Sequence, residues 1–576
     1  MNLLRKDVAH MFSTLSRVCE YLNLEPPLPL LSEKDAKEGN REAASPLENS
    51  SEDGEYELSP PTSPSAAQAP IDTYLTSAQQ EAAAESAGAA RPRTRRKTAE
   101  RPDLISKGLV SAEEAEGLVQ SYLSRLDRFL YGIASQYKDA QQVRQASPTL
   151  LAAMCATAAF QDVKHQALFD VCNREYRALV SASLFENRSH EFVRALCIGS
   201  FWLPDASRIL SSDAIRRAVD CRLHRQFYRL TEPPRPADNR MDPTLGLSDA
   251  RDKMRLWYLL YICDQHLSIL YNQDSLMRQE KDAIENRELF LARQGLLPSA
   301  QDVRLMSQVS LLVIMCQIRD VFGCEQNKPV SKTLAVQFTH FTRELDQWYA
   351  KYSGIFEPDP YIGSFPLAGL TMHYQFGKLY LGHHVFRGLE TDPIPPHFVS
   401  VASGAREAAA LIFSLILDND AFRENILGMP YYFHIMISFA GNFLLEVCMK
   451  YREQLNINVE DEFRRVSDVV ALFARTAAVP QHPIARVTIG LMRKLTEYTT
   501  ALGIDSMMAG SPFAYPKWAA ARDYHSNPLN GSTGPASFEM QFTTMLPDDF
   551  LYTGFGGMNF TDSQFHCIPQ HASAEQ

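Results

Sequence analysis

The chain has 576 residues, of which 45% are hydrophobic and 22% charged, the proportions of a globular protein long enough for a large core. A formal net charge of −11 argues against a chain that coats nucleic acid by bulk charge, while leaving room for a local basic patch. The 10 cysteines are scattered with no C-x-x-C pair, which argues against a disulfide framework and against the common zinc-ligand spacings.

Residues 1–30 carry a short heptad pattern. Met1, Val8, Leu15 and Leu22 fit a positions, and Leu4, Met11 and Val18 fit d positions, up to Pro26 and Pro27, which cannot continue a helix. Two readings stand: the seam of a dimerising coiled coil, or an amphipathic helix packed on its own domain. No apolar signal run opens the chain, so the expected location is the nucleus or cytoplasm.

Residues 31–102 are dominated by Ser, Pro, Ala, Glu and Gly, with few apolar groups to offset the cost of ordering. They read as a disordered acidic linker that ends in a basic cluster, "RPRTRRKTAER". Arg91, Arg93, Arg95, Arg96 and Lys97 there suit nuclear import or contact with DNA phosphates. A solvated charge run is the plainer alternative.

From 103 to 505 the period is helical, and the fold class is all-α. Ser111 with Glu114 three residues on forms a capping box. Leu118, Tyr122, Leu126 and Phe129 fall on one stripe of the helix that follows. Pro148 stands near a helix N-terminus, where proline is tolerated. Convincing alternating strands and hairpin dipeptides are missing, and no fixed-period repeat is present. The most apolar window, "YYFHIMISFAGNFLLEVCM", holds His434, Asn442 and Glu446. A buried carboxylate is costly in lipid, so this window reads as a core helix and no membrane partner is expected.

The patterns of catalysis are missing. "FGK" at Phe376–Lys378 lacks the glycine and the Ser or Thr of a phosphate loop, and there is no G-x-S-x-G elbow or H-E-x-x-H helix. His383 and His384 are adjacent, so on a helix they point about 100° apart rather than toward one metal. The chain therefore reads as a non-enzyme.

One stretch stands apart: "ARDKMRLWYLLYICDQHLSILYNQ", residues 250–273. Ser248 is the expected cap of its helix. Every residue from Leu256 to Cys263 is apolar or aromatic, so the helix should be enclosed by others. Asp264 has no cation at i−4 or i+4, and if buried it needs a partner from another helix. His266 lies about 200° further round the axis, so the two side chains diverge and do not form an acid–base couple.

This stretch resembles the signature of the fungal-specific regulatory (middle homology) domain of zinc binuclear-cluster transcription factors. In that family an Arg-rich start precedes L-W-W-x-L-Y-x-x-D-x, a Ser and a Gly-Arg-Pro turn. Arg251, Arg255, Leu256, Trp257, Leu260, Tyr261, Asp264 and Ser268 stand in matching places, while the turn is replaced by Asn272-Gln273-Asp274. The resemblance covers 103–505 and implies a helical regulatory domain in which Arg255, Leu256, Trp257, Tyr261 and Asp264 are scaffold. The family's six-cysteine zinc module is absent from this sequence. No cofactor is expected in this chain, zinc entering only with an upstream exon that encodes the cluster.

Residues 506–576 turn to Gly, Ser, Pro, Asn and aromatics and read as a disordered tail. In "MLPDDFLYTGFGGMNFTDSQF", Asp548 and Asp549 adjoin Phe550 and Leu551, the acidic–aromatic mixing of an activation region. The alternative is a tail that folds back over the body. The expected function is a nuclear, pathway- or gene-cluster-specific transcription regulator. Its expected partners are DNA, reached directly or through a related factor, transcriptional coactivators, and a second chain in a homo- or heterodimer. The alternative is a partner protein that does not bind DNA and sequesters or bridges a related zinc-cluster factor.

Overall fold

Ser111 opens the first helix as the pattern requires. Its hydroxyl accepts the Glu114 N–H at 3.1 Å, and the Glu114 carboxylate accepts the Ser111 N–H at 2.9 Å. The computed structural model describes residues 102–503, apart from 187–188, 232–242, 272–273, 278–280, 293–298, 324–327 and 390–391. The heptad residues Leu4, Val8, Met11, Leu15, Val18 and Leu22, the cluster Arg91–Lys97 and the tail residues Asp548–Leu551 lie outside the described residues.

The longer helices, in chain order, are α1 (Ala112–Ser124), α2 (Pro148–Ala159), α3 (Gln166–Ala182), α4 (His190–Trp202), α5 (Ser207–Asp220), α6 (Pro243–Leu270) and α7 (Ala300–Phe322). They continue with α8 (Ala335–Ser353), α9 (Phe365–His383), α10 (Val399–Asp418), α11 (Tyr431–Tyr451), α12 (Val459–Arg475) and α13 (Pro483–Leu502). Among the described residues there is no strand, only an isolated bridge between Asp359 and Gly363. The fold is all-α.

Two helix boundaries differ from expectation. The first helix stops at Ser124 instead of carrying its stripe through Phe129. Asp127 closes a loop there: its carbonyl accepts the Gly132 N–H and its carboxylate accepts the Ala134 N–H, both at 2.9 Å, around Tyr131 at a positive φ of 56°. These local bonds replace the helical ladder. Leu118, Tyr122, Leu126 and Phe129 are nevertheless all buried, because the turn re-aims the last two into the same core. The second difference is at the signature helix, which begins at Pro243, so Ser248 sits inside it and does not cap it.

Elsewhere the punctuation is as read. Pro148 is the first residue of α2, and Ser147 caps it through the Leu150 N–H. The apolar window of 431–449 falls on α11, which packs against α4, α9, α10, α12 and α13. Among the described residues three helices, α7, α11 and the segment Pro396–Asp418, are long and apolar enough to cross a membrane by length and composition. In α11 that apolar window is 89% buried within the protein. Gly382 lets α9 and α10 approach closely, since a Cβ there would stand 2.6 Å from that of Ala405.

Candidate functional site

The signature residues lie on α6, which packs against α4, α5 and α7. Leu256, Trp257 and Tyr261 are core residues. The Trp257 ring centroid lies 5.2 Å from that of His224, and the Tyr258 hydroxyl donates to the Ala283 carbonyl. A run with no polar face requires such enclosure.

The polar residues of α6 form ties at its margins. Near its start, Arg255 Nε donates to Asp302 Oδ1 at 2.6 Å and Arg251 Nε to Asp302 Oδ2 at 3.0 Å. Asp302 is only 2% exposed and is also the third residue of α7, where it completes a capping box with Ser299. Burial pushes its carboxyl upward, but the charges of Arg255 and Arg251 more than reverse this and hold it below the usual carboxylate range. One turn away, Asp252 meets Arg194 of α4 at 2.6 Å. Arg194 is fully buried; it also holds Glu191 at 2.9 Å and donates to the Ile133 carbonyl. Desolvation raises the Glu191 carboxyl, and hydrogen bonds from His190 and Arg194 with the Arg194 charge bring it down to about 2.

Asp264 is buried, but its partners are not on another helix as expected. Its carboxylate accepts the Ser275 hydroxyl at 2.6 Å, the Met277 N–H at 2.9 Å and the Leu276 N–H at 3.2 Å. Backbone N–H groups of the loop after α6 thus replace the cation, and several such donors satisfy a buried carboxylate. Gln265 Nε2 also donates to the Ser275 hydroxyl, at 2.6 Å.

His266 turns the other way. Its Nε2 stands 3.2 Å from Gln308 Nε2; an amide nitrogen only donates, so the ring nitrogen accepts and the ring is the Nδ1–H tautomer. The ring stacks on Tyr432 at 4.1 Å between centroids and 14° between planes. Burial holds its pKa well below the ordinary value, with the nearby His373 adding to the effect. Asp264 and His266 therefore serve separate networks, one tying a loop and one packed in the core.

Around His266 the structure gathers residues that sequence reasoning missed: Arg304 and Gln308 of α7, His373 of α9 and Tyr432 of α11. A cavity of about 40 Å³ lies among them, with walls that include Phe129, Phe365 and Phe433. No sequence signal joins these positions, which come from separate helices. Asp302 was accessible, because "SAQD" before an apolar run is a capping signature. His383 and His384 pack together with ring centroids 4.1 Å apart, and His384 is buried against Phe322. Among the described residues no group of three His, Cys, Asp or Glu side chains is placed to hold a metal ion. The seven described cysteines are free thiols.

No protein-family model matches the chain. Over 410 residues, 69% of its length, it is 30% identical to the transcriptional activator of proteases prtT of Emericella nidulans. The matched stretch spans 60% of that relative.

Proposed function

We propose that the chain is a nuclear, fungal-type regulator of transcription, specific to a pathway or gene cluster and not an enzyme. In this reading residues 103–505 are the regulatory domain, residues 506–576 supply an activation region, and residues 1–30 pair with a second chain. The observation that carries the proposal is the 30% identity to a fungal transcriptional activator. That relative is an activator of proteases, and protease genes are the target set in this reading. The signature helix supports the same reading, because Arg255 and Asp264 are spent on scaffold ties and are not gathered around a reacting group. DNA is reached directly or through a related factor, and coactivators are the expected partners of the tail.

The test is to tag the full chain at its own locus and to delete the gene in parallel. Nuclear enrichment, recovery at promoters and loss of a coherent set of transcripts are expected. Recovery at promoters only while a related zinc-cluster factor is present would place DNA contact in that factor. A cytoplasmic chain whose deletion leaves transcripts unchanged would overturn the proposal.

A further inference from the structure

Arg304 is an unusual buried arginine. It is 8% exposed, yet its nearest carboxylate oxygen, from Asp359, is 3.9 Å away. By contrast, the buried guanidiniums of Arg194 and Arg217 hold carboxylate oxygens at 2.6 and 2.8 Å. It also donates to the Arg128 carbonyl at 3.2 Å and lies over the Tyr131 ring, 5.6 Å from its centroid. An interior cation with so loose a counter-charge is costly, and a closer anion would relieve it. Burial lowers its pKa, and Tyr131 and Asp359 only partly offset that.

Arg304 lines the 40 Å³ cavity together with His373. His373 is 5% exposed, and its Nδ1 lies 2.7 Å from the Gly369 carbonyl, which can only accept. The proton is therefore on Nδ1, and Nε2 keeps a lone pair. That Nε2 is buried with no hydrogen-bond partner, a costly state unless something donates to it. Burial holds the His373 pKa down to about 4, so the ring stays neutral near pH 7. The cavity thus offers a fork of cationic donors, an acceptor that needs a donor, and an aromatic wall of Phe129, Phe365 and Phe433.

We infer that this cavity is a binding site for a small monocarboxylate bearing a hydroxyl, of the size of bicarbonate or glycolate. The carboxylate takes the Arg304 guanidinium N–H groups and the hydroxyl donates to His373 Nε2. Size sets the upper bound: a single water needs about 10–15 Å³ of such space, so the cavity has room for about three waters, roughly the bulk of an anion of four or five bonded heavy atoms. Charge selects an anion, and the orphan nitrogen selects one that carries a donor. Acetate satisfies the first demand and not the second. The site lies in the interior of the helical body and would bind its anion whatever the chain's role in transcription.

The test is titration calorimetry and thermal unfolding of the full chain with sodium glycolate, using sodium acetate at equal ionic strength as comparison. Glycolate should raise the unfolding midpoint saturably and bind about tenfold more tightly than acetate, the worth of one hydrogen bond. Arg304→Gln should abolish the difference, and Arg304→Lys should retain part of it. Equal effects of glycolate and acetate, or no saturable effect of either, would overturn the site and leave ordered water as its only occupant. If Arg304→Gln does not fold, the glycolate–acetate comparison on the unaltered chain still decides.

Discussion

Arg255 Nε lies 2.6 Å from Asp302 Oδ1, and this contact ties the signature helix to the first turn of the next long helix. Asp302 serves two arginines and a capping box with one carboxylate. Asp302→Ala should therefore destabilise the body by about 3 kcal/mol, the scale for removing one partner of a buried ion pair. Arg255→Lys keeps the charge and loses the fork geometry, and should cost about 1 kcal/mol. Urea unfolding measures both; an Asp302→Ala loss no larger than that of Arg255→Lys would refute the hub.

Asp264 is expected to matter through the loop it fastens. Asp264→Ala leaves the Ser275 hydroxyl and the Leu276 N–H without this acceptor and leaves the Met277 N–H only its longer bond to the Ser275 oxygen at 3.2 Å, a loss of about 2–3 kcal/mol. Asp264→Asn keeps a neutral acceptor in nearly the same shape and should lose about half as much. Hydrogen exchange at the Met277 amide should accelerate in the Ala variant and much less in the Asn variant. Unchanged exchange in both would show that the loop is held by other bonds.

The difference between these two residues shows what the sequence could convey. Asp302 stands in a local capping pattern, so its helix start is legible, but its two arginines come from 47 and 51 positions away. Asp264 was recognisable as a buried carboxylate in need of partners, and backbone N–H groups carry no residue-type signal. The all-helical class was legible because period and caps are local. The cavity was not, since Arg304, His373 and Tyr432 are brought together only by the packing of α7, α9 and α11. Asp127 ended α1 early by bonding to residues five and seven positions on, a competition that apolar periodicity does not register.

Acid should loosen the body through its buried histidines. Burial holds His373 and His434 at about 4, below the ordinary 6.5. The unfolded chain therefore takes up protons as pH falls through 6.5, while the folded chain does not until about 4. Their contribution is full above 6.5 and is lost across that window, by up to about 1.4 kcal/mol per group per pH unit. His266, His383, His384 and His482 are shifted the same way. Asp127 acts oppositely: desolvation raises it to about 7, so its contribution is full below 3.8 and is lost as pH rises toward 7. Six histidines against one carboxyl predict a lower urea midpoint at about pH 5 than at pH 7. A midpoint that is flat or higher at the acid end would contradict this balance.

The basic cluster gives a prediction about address. If Arg93, Arg95, Arg96 and Lys97 are the import signal, replacing all four with Gln should leave a fluorescent full-length fusion in the cytoplasm. Replacement by Lys and Arg in shuffled order should not. Nuclear signal in the Gln variant would assign entry to another segment or to a carrying partner.

The tail gives the last prediction. Leu546, Phe550, Leu551, Tyr552, Phe555 and Phe560 are interleaved with Asp548, Asp549 and Asp562. Such a mixture keeps large apolar groups solvated until they dock in a hydrophobic groove, while the carboxylates steer toward basic rims. Fused to an unrelated DNA-binding domain, residues 506–576 should activate a reporter. Phe550→Ala with Leu551→Ala should abolish that activation by removing the apolar anchors. Asp548→Asn with Asp549→Asn should weaken it less, because anchors carry most of the docking energy and rim charges mainly speed encounter. The competing reading, a tail that covers the helical body, predicts an inert fusion and a body that loses solubility when the tail is removed. An active fusion with a soluble tail-less body decides for activation, and the reverse pair of results decides for the cover.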